Sequence, residues 1–375
     1  MLTEESRLAD FSFLRENTYL NTAAEGLPPR VVHEALDMYW EHKSMGMRGR
    51  DFHFPESEKC RAVAAELLAK EPEEVSFCSC TSEAYNLLAS ALNLQADDEV
   101  VVTDLDFPAG ATPWLRWPGR PQTKLWKNCD GVLELSDLEG LLGEKTRLVQ
   151  VSYVSFLTGY RIPWAEFRDL VRRLAPNAVL SVDVTQAFGR VVLDCLDADC
   201  LISSTYKWQL GVHGGGIVAI PKTGAERLTT RAGGWYNLAN AFAADRFERA
   251  EPFPGAKSFS VGMPSFPALY ALRAGLEYLR DVGIPNIAAH ADPLVARVHE
   301  GLNELGIKPM SPAQPGCSSG IVSFQHERDA EIQAALQAQN VHVMHQAGRI
   351  RISIHGYNQP ADVERFVEQL RAASS

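Results

Sequence analysis

A repeated alternation constrains this chain more than any other feature. From about Pro28 to Ile220, the short apolar runs "EVSFCS", "DEVVVTD", "TRLVQVSY", "NAVLSVD", "DCLISS" and "GGIVAI" are bounded by turn residues or charges. Between several of them lie "TSEAYNLLASAL", "LELSDLEGLLG" and "WAEFRDLVRRLA", with apolar residues at helical spacing. "PPRVVHEALDMYW" begins with prolines suited to a first helical turn. Continuous apolar runs suit strands covered on both faces, so the pattern predicts an α/β fold with a large, mainly parallel sheet. After "FSVGMPSF" the order changes to two long helical stretches, a strand-like "GIVSFQ", a helix near 329–339 and a strand-like "RIRISIH". That order predicts a smaller α+β lobe. The expected division is an N-terminal segment 1–20, a large domain 21–261 and a small domain 262–375, in a chain longer than the roughly 250–300 residues that one core usually serves.

Composition narrows the partners. A formal net charge of -11 argues against a general electrostatic grip on nucleic acid or anionic lipid, which rests on clustered Lys and Arg. No apolar run approaches the length of a membrane span, and "MLTEESRLADFSFL" lacks the long apolar core of a secretory signal. The seven cysteines are odd in number, scattered, and without the paired CxxC spacing of a zinc site. The expectation is a cytoplasmic protein with reduced thiols, no metal, and a small molecule as ligand.

In an open α/β sheet, ligands bind beyond the carboxyl ends of the strands. Four polar positions follow apolar runs. Thr81 and Ser82 open the helix after "EVSFCS"; they can cap it, or its first N–H groups can hold a phosphate. Asp183 ends "AVLSVD", with Gln186 one turn beyond; an acid there can also cap the next helix or bind a neighbouring backbone N–H. Lys207 follows Ser203, Ser204 and Thr205 in "LISSTYKW", although a lone lysine is more often a solvated surface residue. Arg351 alternates with Ser353 and His355 in "RIRISIH" and can pair with a carboxylate, either of a ligand or of a neighbouring element. Together the four supply the parts for pyridoxal phosphate chemistry: a Schiff-base lysine, an acid for the pyridine nitrogen, a phosphate cradle and a carboxylate-binding arginine. The run "GVHGGGIVAI" passes from glycines into a strand, the reverse of a dinucleotide-binding loop, and its His213 reads as support for a turn.

The order and spacing of "VLSVDVTQAFG" and "DADCLISSTYKWQLGVHGGGIVAI" resemble the signature of the class V aminotransferase family, which includes cysteine desulfurases, isopenicillin N epimerase-like proteins and kynureninase relatives. "YLNTAAEGLPP", "FCSCTSEAYNLL", "DLDFPAGATPW" and "IRISIHGYNQPADVERFVEQL" extend the resemblance over nearly the whole chain. It implies fold type I, pyridoxal 5'-phosphate as cofactor, an amino-acid substrate and a homodimer. It further implies Lys207 as the lysine that bonds the cofactor and shuttles the Cα proton. Asp183 matches the partner of the pyridine nitrogen and Gln186 the residue near the ring hydroxyl. Thr81, Ser82 and Ser204 match phosphate ligands, and Phe107 falls where a ring stacks on the cofactor, often His. Arg351 matches the substrate-carboxylate ligand, and Asn21 and Ala23 line the substrate entrance.

Two departures shape the expected activity. Desulfurases of the family carry a mobile-loop cysteine shortly before the arginine, and "VHVMHQAGRIRIS" has none, while Cys317 lies too early. Met263 in "FSVGMPSF" replaces a threonine that reaches the neighbouring subunit's phosphate, leaving Ser260 or Ser265 as donors. Transamination is favoured, β-elimination comes second and epimerisation third. A non-catalytic relative of the fold would not need Asp183, Lys207 and Arg351 together.

Overall fold

The predicted apolar runs pair into one sheet. The computed structural model describes residues 3–116, 119–314 and 316–374. The strands are β1 Val75–Cys78, β2 Glu99–Thr103, β3 Gln122–Trp126, β4 Thr146–Ser152, β5 Val179–Asp183, β6 Cys200–Ser204 and β7 Gly216–Ala219. Their spatial order is β1-β7-β6-β5-β4-β2-β3. The run from β6 to β3 is parallel, and β7 is antiparallel to both of its neighbours. β3, "QTKLW", escapes the sequence pattern because it is an edge strand, with only Trp126 buried.

Alternate residues of the central strands enter different cores, as the two-residue period of a strand requires. Val100, Val102, Leu148, Val179, Cys200 and Ile202 face a cluster containing Ala84, Tyr85 and Leu88 of the Thr81–Leu92 helix. Val101, Val149, Leu180, Val182 and Leu201 face the opposite cluster, with Phe167 and Val171 of the Trp164–Leu174 helix. Burying each of the Val, Leu, Ile and Phe side chains among them contributes about 1.5–3 kcal/mol, which holds the strands, and the polar residues at their ends, in register.

The helix predicted in "LELSDLEGLLG" is shorter than its pattern, covering only Leu135–Glu139 before Gly140 ends it. The prolines of "PPRVV" also lie outside their helix, which runs Arg30–Ser44 with Pro29 as an extended N-cap. Toward the C-terminus, the Phe266–Val282 helix sends Leu269, Leu272, Leu276 and Leu279 into the large core. The following Ile284–Glu304 helix contributes Leu294, Val295, Val298 and Leu302 to a second core. Over that core lies an antiparallel sheet of β8 Ile321–Gln325, β9 Met344–Gln346 and β10 Arg349–Ser353, in the order β9-β10-β8. The start of the chain belongs to the same region: Thr18–Tyr19 pairs with Val341–His342, Leu20 enters the second core, and Asn21 bridges to Ser353. Through this segment β10 is tied to the edge where β5 and β6 end.

Candidate active site

Asp183 and Lys207 come together because β5 and β6 are adjacent and parallel. Asp183 is the last residue of β5 and pairs with Ile202, two residues before the end of β6. The turn after β6 then carries Lys207 across the same edge. One Asp183 carboxylate oxygen accepts from the Tyr85 hydroxyl and the other from the Thr185 N–H, both at 2.8 Å. Two buried donors thereby fix the plane of the carboxylate. Burial and the adjacent Asp183 charge push the Tyr85 phenol well up, so it stays protonated and remains a donor. The Thr185 hydroxyl in turn accepts from the Ser204 N–H at 3.0 Å, which couples the two strand ends.

The Lys207 amine lies 5.5 Å from the ring centroids of Phe107 and Tyr206. Burial brings its pKa down to about 8, with Asp183 and Glu25 opposing that shift and Arg351 adding to it. A lysine so placed has a substantial neutral fraction near physiological pH, which ordinary surface lysines lack. Its main chain is gripped from the N-terminal segment: the Gly26 N–H donates to the Tyr206 carbonyl at 2.9 Å, and a Cβ on Gly26 would fall 1.9 Å from the Lys207 carbonyl oxygen. Glycine is required there by contact rather than by φ.

Ser204, Gly216 and Cys78 lie abreast on β6, β7 and β1, and the chain continues from Cys78 into the Thr81–Leu92 helix. Thr81 is half-buried and Ser82 exposed at the first turn of that helix. The N-cap, Cys80, supplies no side-chain hydrogen bond to the helix, so the hydroxyl-capping reading of Thr81 and Ser82 does not describe it. Glu83 instead turns back to accept from the Ser79 N–H and hydroxyl at 2.5 and 2.6 Å. A cavity of about 140 Å³ adjoins this turn, lined by Cys78, Ser79, Glu83, Gly214, Met263 and Ser265 among others. Ser204 Oγ is buried without a partner. Ser260 is not free to serve a neighbouring subunit, because its hydroxyl donates to the Phe77 carbonyl at 2.6 Å and meets the Ser76 hydroxyl at 2.7 Å.

Gln186 is held at both ends, its amide N–H donating to the Ala23 carbonyl at 3.1 Å and its oxygen accepting from the Trp208 indole at 2.7 Å. Ala23 is itself buried, and its N–H donates to Ser353 Oγ at 2.9 Å. Asn21 is half-buried, with an orphaned side-chain oxygen. Arg351 is buried on β10 and donates through Nη1 to the Phe156 carbonyl at 2.9 Å, while its Nε has no partner. Burial lowers its pKa to about 10. Phe156 meets Phe107 edge to face, with ring centroids 5.1 Å apart, and Phe107 is 47% exposed. Thus Asp183, Lys207, Phe107, Gln186, Ala23 and Arg351 are linked through direct contacts or one intervening residue. Thr81 and Ser82 stand two strands away, at the end of β1.

Other residues carried no signal in the sequence. Tyr85 reads as a core position of its helix, and only the structure brings its hydroxyl to Asp183. Asp106, beside Phe107, is buried with one oxygen accepting from the Ser152 N–H and the other unpartnered; burial pushes its carboxyl up to about 8. His213 stacks on Tyr206 at 4.0 Å and lies 3.3 Å from Glu25, so it is more than a turn support. His355 lies beyond the end of β10, its ring nitrogen 3.2 Å from the Trp208 carbonyl, behind the Lys207 segment.

The orphaned atoms test whether pyridoxal phosphate fits. A buried hydroxyl at Ser204 without a partner, a buried acid at Asp183, a desolvated amine at Lys207 and an unpaired guanidinium edge at Arg351 are the donor set that such a cofactor and an amino-acid substrate require. Among the described residues, no cluster of three or more His, Cys, Asp or Glu could hold a metal ion, and no helix is long and apolar enough to cross a membrane.

The sequence profile of the family described as Aminotransferase class-V matches residues 18–366. An uncharacterized aminotransferase of Bacillus subtilis, YcbU, is 26% identical, with 96% of each chain covered. The apo structure of a cysteine desulfurase from Thermococcus onnurineus superposes with a TM-score of 0.89 at 24% identity, over 100% of this chain and 98% of that one. A mutant of the C-DES protein with glycine covalently linked to its pyridoxal phosphate gives 0.88 at 21% identity, over 97% and 98%.

Proposed function

The chain belongs to the class V aminotransferase family, and from that premise we propose that it is an aminotransferase in which Lys207 moves the Cα proton of an α-amino acid. It is a pyridoxal-phosphate-dependent enzyme of the transaminase or lyase kind. The observation that carries the reading is the amine of Lys207, largely buried and brought to about 8 beside the doubly hydrogen-bonded Asp183. When bound, the cofactor supplies an electron sink for negative charge developing at Cα.

The protein's own groups do the rest. Lys207 would hold the cofactor, and its neutral amine would accept the Cα proton. Asp183 would hold the proton on the ring nitrogen, with Tyr85 and Thr185 preventing rotation of the carboxylate. Ser204, Thr81 and Ser82 would hold the phosphate, Gln186 would serve the ring hydroxyl, and Phe107 would supply an aromatic face for the ring. Arg351 receives the substrate carboxylate, and Asn21 and Ala23 border the entrance. A persulfide-forming route has no nucleophile next to Arg351: β9 and β10 are joined by a tight turn, with Ala347 at φ 52° and Gly348 at φ 73°, rather than by a cysteine-bearing loop.

Exposed Trp40, Met45, Met47, Phe52 and Phe54, carried on or between two neighbouring helices, support a homodimer. The seven free thiols support a cytoplasmic setting, and the net charge of -11 supports the absence of nucleic-acid or membrane partners. The proposed division remains a 1–20 segment, a 21–261 cofactor domain and a 262–375 small domain; the separate apolar core under β8, β9 and β10 supports the small domain from the Ile284–Glu304 helix onward, whereas Leu20 joins that core and the Phe266–Val282 helix packs in the large one.

The test is to offer candidate amino acids to the holoenzyme while following the cofactor spectrum and products. Formation of the oxo acid with pyridoxamine phosphate is the expected result. Pyruvate and ammonia would mean elimination, solvent deuterium at Cα alone would mean epimerisation, and either outcome would displace transamination.

A further inference from the structure

β10 carries two arginines on one face. Arg349 and Arg351 are two residues apart, so their side chains leave the strand on the same side, with Cα atoms about 6.7 Å apart. Both converge on Phe156: Arg351 Nη1 donates to its carbonyl at 2.9 Å, and Arg349 Cζ lies 5.6 Å from the centre of its ring. Arg351 is 2% exposed and Arg349 4%. Arg349 Nη1 reaches the Gln346 carbonyl at 3.3 Å, but its Nε and Nη2 have no partner, nor has Arg351 Nε.

Other deeply buried arginines of this chain are neutralised. Arg7 pairs with Asp362 at 3.2 Å and Arg190 with Asp292 at 2.8 Å. Arg349 and Arg351 form no ion pair with a carboxylate among the described residues, and they repel each other. A buried, unpaired ion costs several kcal/mol, and two side by side cost more. Such a pair is retained where a ligand brings the missing negative charge. The α-carboxylate proposed for Arg351 brings one charge, which leaves Arg349 uncompensated. The pair stands close to the reacting centre, because Phe156 packs on Phe107 and Phe107 lies 5.5 Å from the Lys207 amine.

We propose that Arg349 is a specificity-determining residue that receives a second acidic group, so that the substrates are α-amino acids with a carboxylate on the side chain. The inference rests on the assignment of Lys207 to the cofactor and of Arg351 to the substrate α-carboxylate. Neutral amino acids gain nothing from the Arg349 guanidinium, and the site favours acids by the charge-assisted bonds that only they can form with it.

Two measurements on the holoenzyme test this. In the first, kcat/KM for L-glutamate and L-aspartate is compared with that for L-glutamine and L-asparagine. The acids are expected to exceed their amides at least tenfold; equal values overturn the proposal. Arg349→Gln is expected to lower kcat/KM for the acids tenfold or more through KM and to leave the amides within about threefold, with Arg349→Lys restoring part of the preference. An equal loss for acids and amides would mean that Arg349 only supports Phe156. In the second, calorimetric binding of succinate and glutarate is compared with butyrate, without turnover. The dicarboxylates should bind more tightly to the wild-type protein and lose that advantage in Arg349→Gln; if that variant fails to fold, the wild-type comparison decides. Failure of the underlying assignment shows separately, as a holoenzyme in which borohydride reduction labels no residue at 207.

Discussion

The Lys207 amine, placed among Phe107, Tyr206 and the end of β6, loses much of the hydration that its charged form needs. Its pKa of about 8 sets a pH dependence with a definite sign, since only the neutral amine attacks an aldehyde. Attachment of pyridoxal phosphate to apoprotein is expected to accelerate tenfold per pH unit below 8, to bend near 8 and to be flat by 9.5. A rise continuing to pH 10 in stopped-flow absorbance would show an unperturbed lysine. Tyr85 is the second residue on which the site turns. Tyr85→Phe removes one of two donors to a buried carboxylate and is expected to destabilise the protein by about 1–3 kcal/mol in urea unfolding. It should also weaken cofactor retention on dialysis, whereas an unchanged midpoint would place the hydroxyl outside the network. At this scale Lys207 and Asp183 were legible from their position after apolar runs. Tyr85 was not, because a tyrosine in the buried stripe of "TSEAYNLLASAL" reads as packing, and its hydroxyl acquires a role only when the helix lies over β5.

Elements of this protein meet the site with their ends, and the tolerances between those ends are narrow. The segment after Asn21 passes so close to the Lys207 turn that a methyl at Gly26 has no room. Gly26→Ala should therefore cost about 1–3 kcal/mol of stability by forcing the two segments apart, with a matching drop in cofactor affinity; a wild-type unfolding midpoint together with wild-type affinity would contradict the close contact. Gly216 plays a similar part at the other side, where a Cβ would meet Cys78 Sγ and the Cys80 carbonyl carbon at 2.9 Å. Most central strands were readable because burial on both faces leaves a continuous apolar run. β3 is hidden by its exposed edge, and the helix in "LELSDLEGLLG" is shorter than its pattern because the apolar spacing continues past Gly140, where the helix ends.

On the scale of the whole molecule, one group of exposed apolar residues is carried on or between two neighbouring helices. Trp40 is 70% and Met47 72% exposed, next to Phe52 and Phe54, a grouping that a soluble monomer rarely tolerates. Sedimentation equilibrium is expected to give a dimer, and Trp40→Glu combined with Met47→Glu should shift it toward monomer; a wild-type monomer at micromolar concentration would refute the homodimer. The N-terminal segment, the large sheet and the small sheet meet at one place, through Asn21 with Ser353, Ala23 with Gln186 and Arg351 with Phe156. By itself the sequence determined the α/β class and the order of the strands along the chain, because apolar periodicity is a local property. It also marked the residue types required for imine chemistry at strand ends. The tertiary structure alone decided that β5 and β6 are neighbours, that Tyr85 steadies Asp183, and that two arginines on β10 stand without counter-charges among the described residues. Those facts depend on which distant segments share a low-dielectric interior, and no local pattern encodes that.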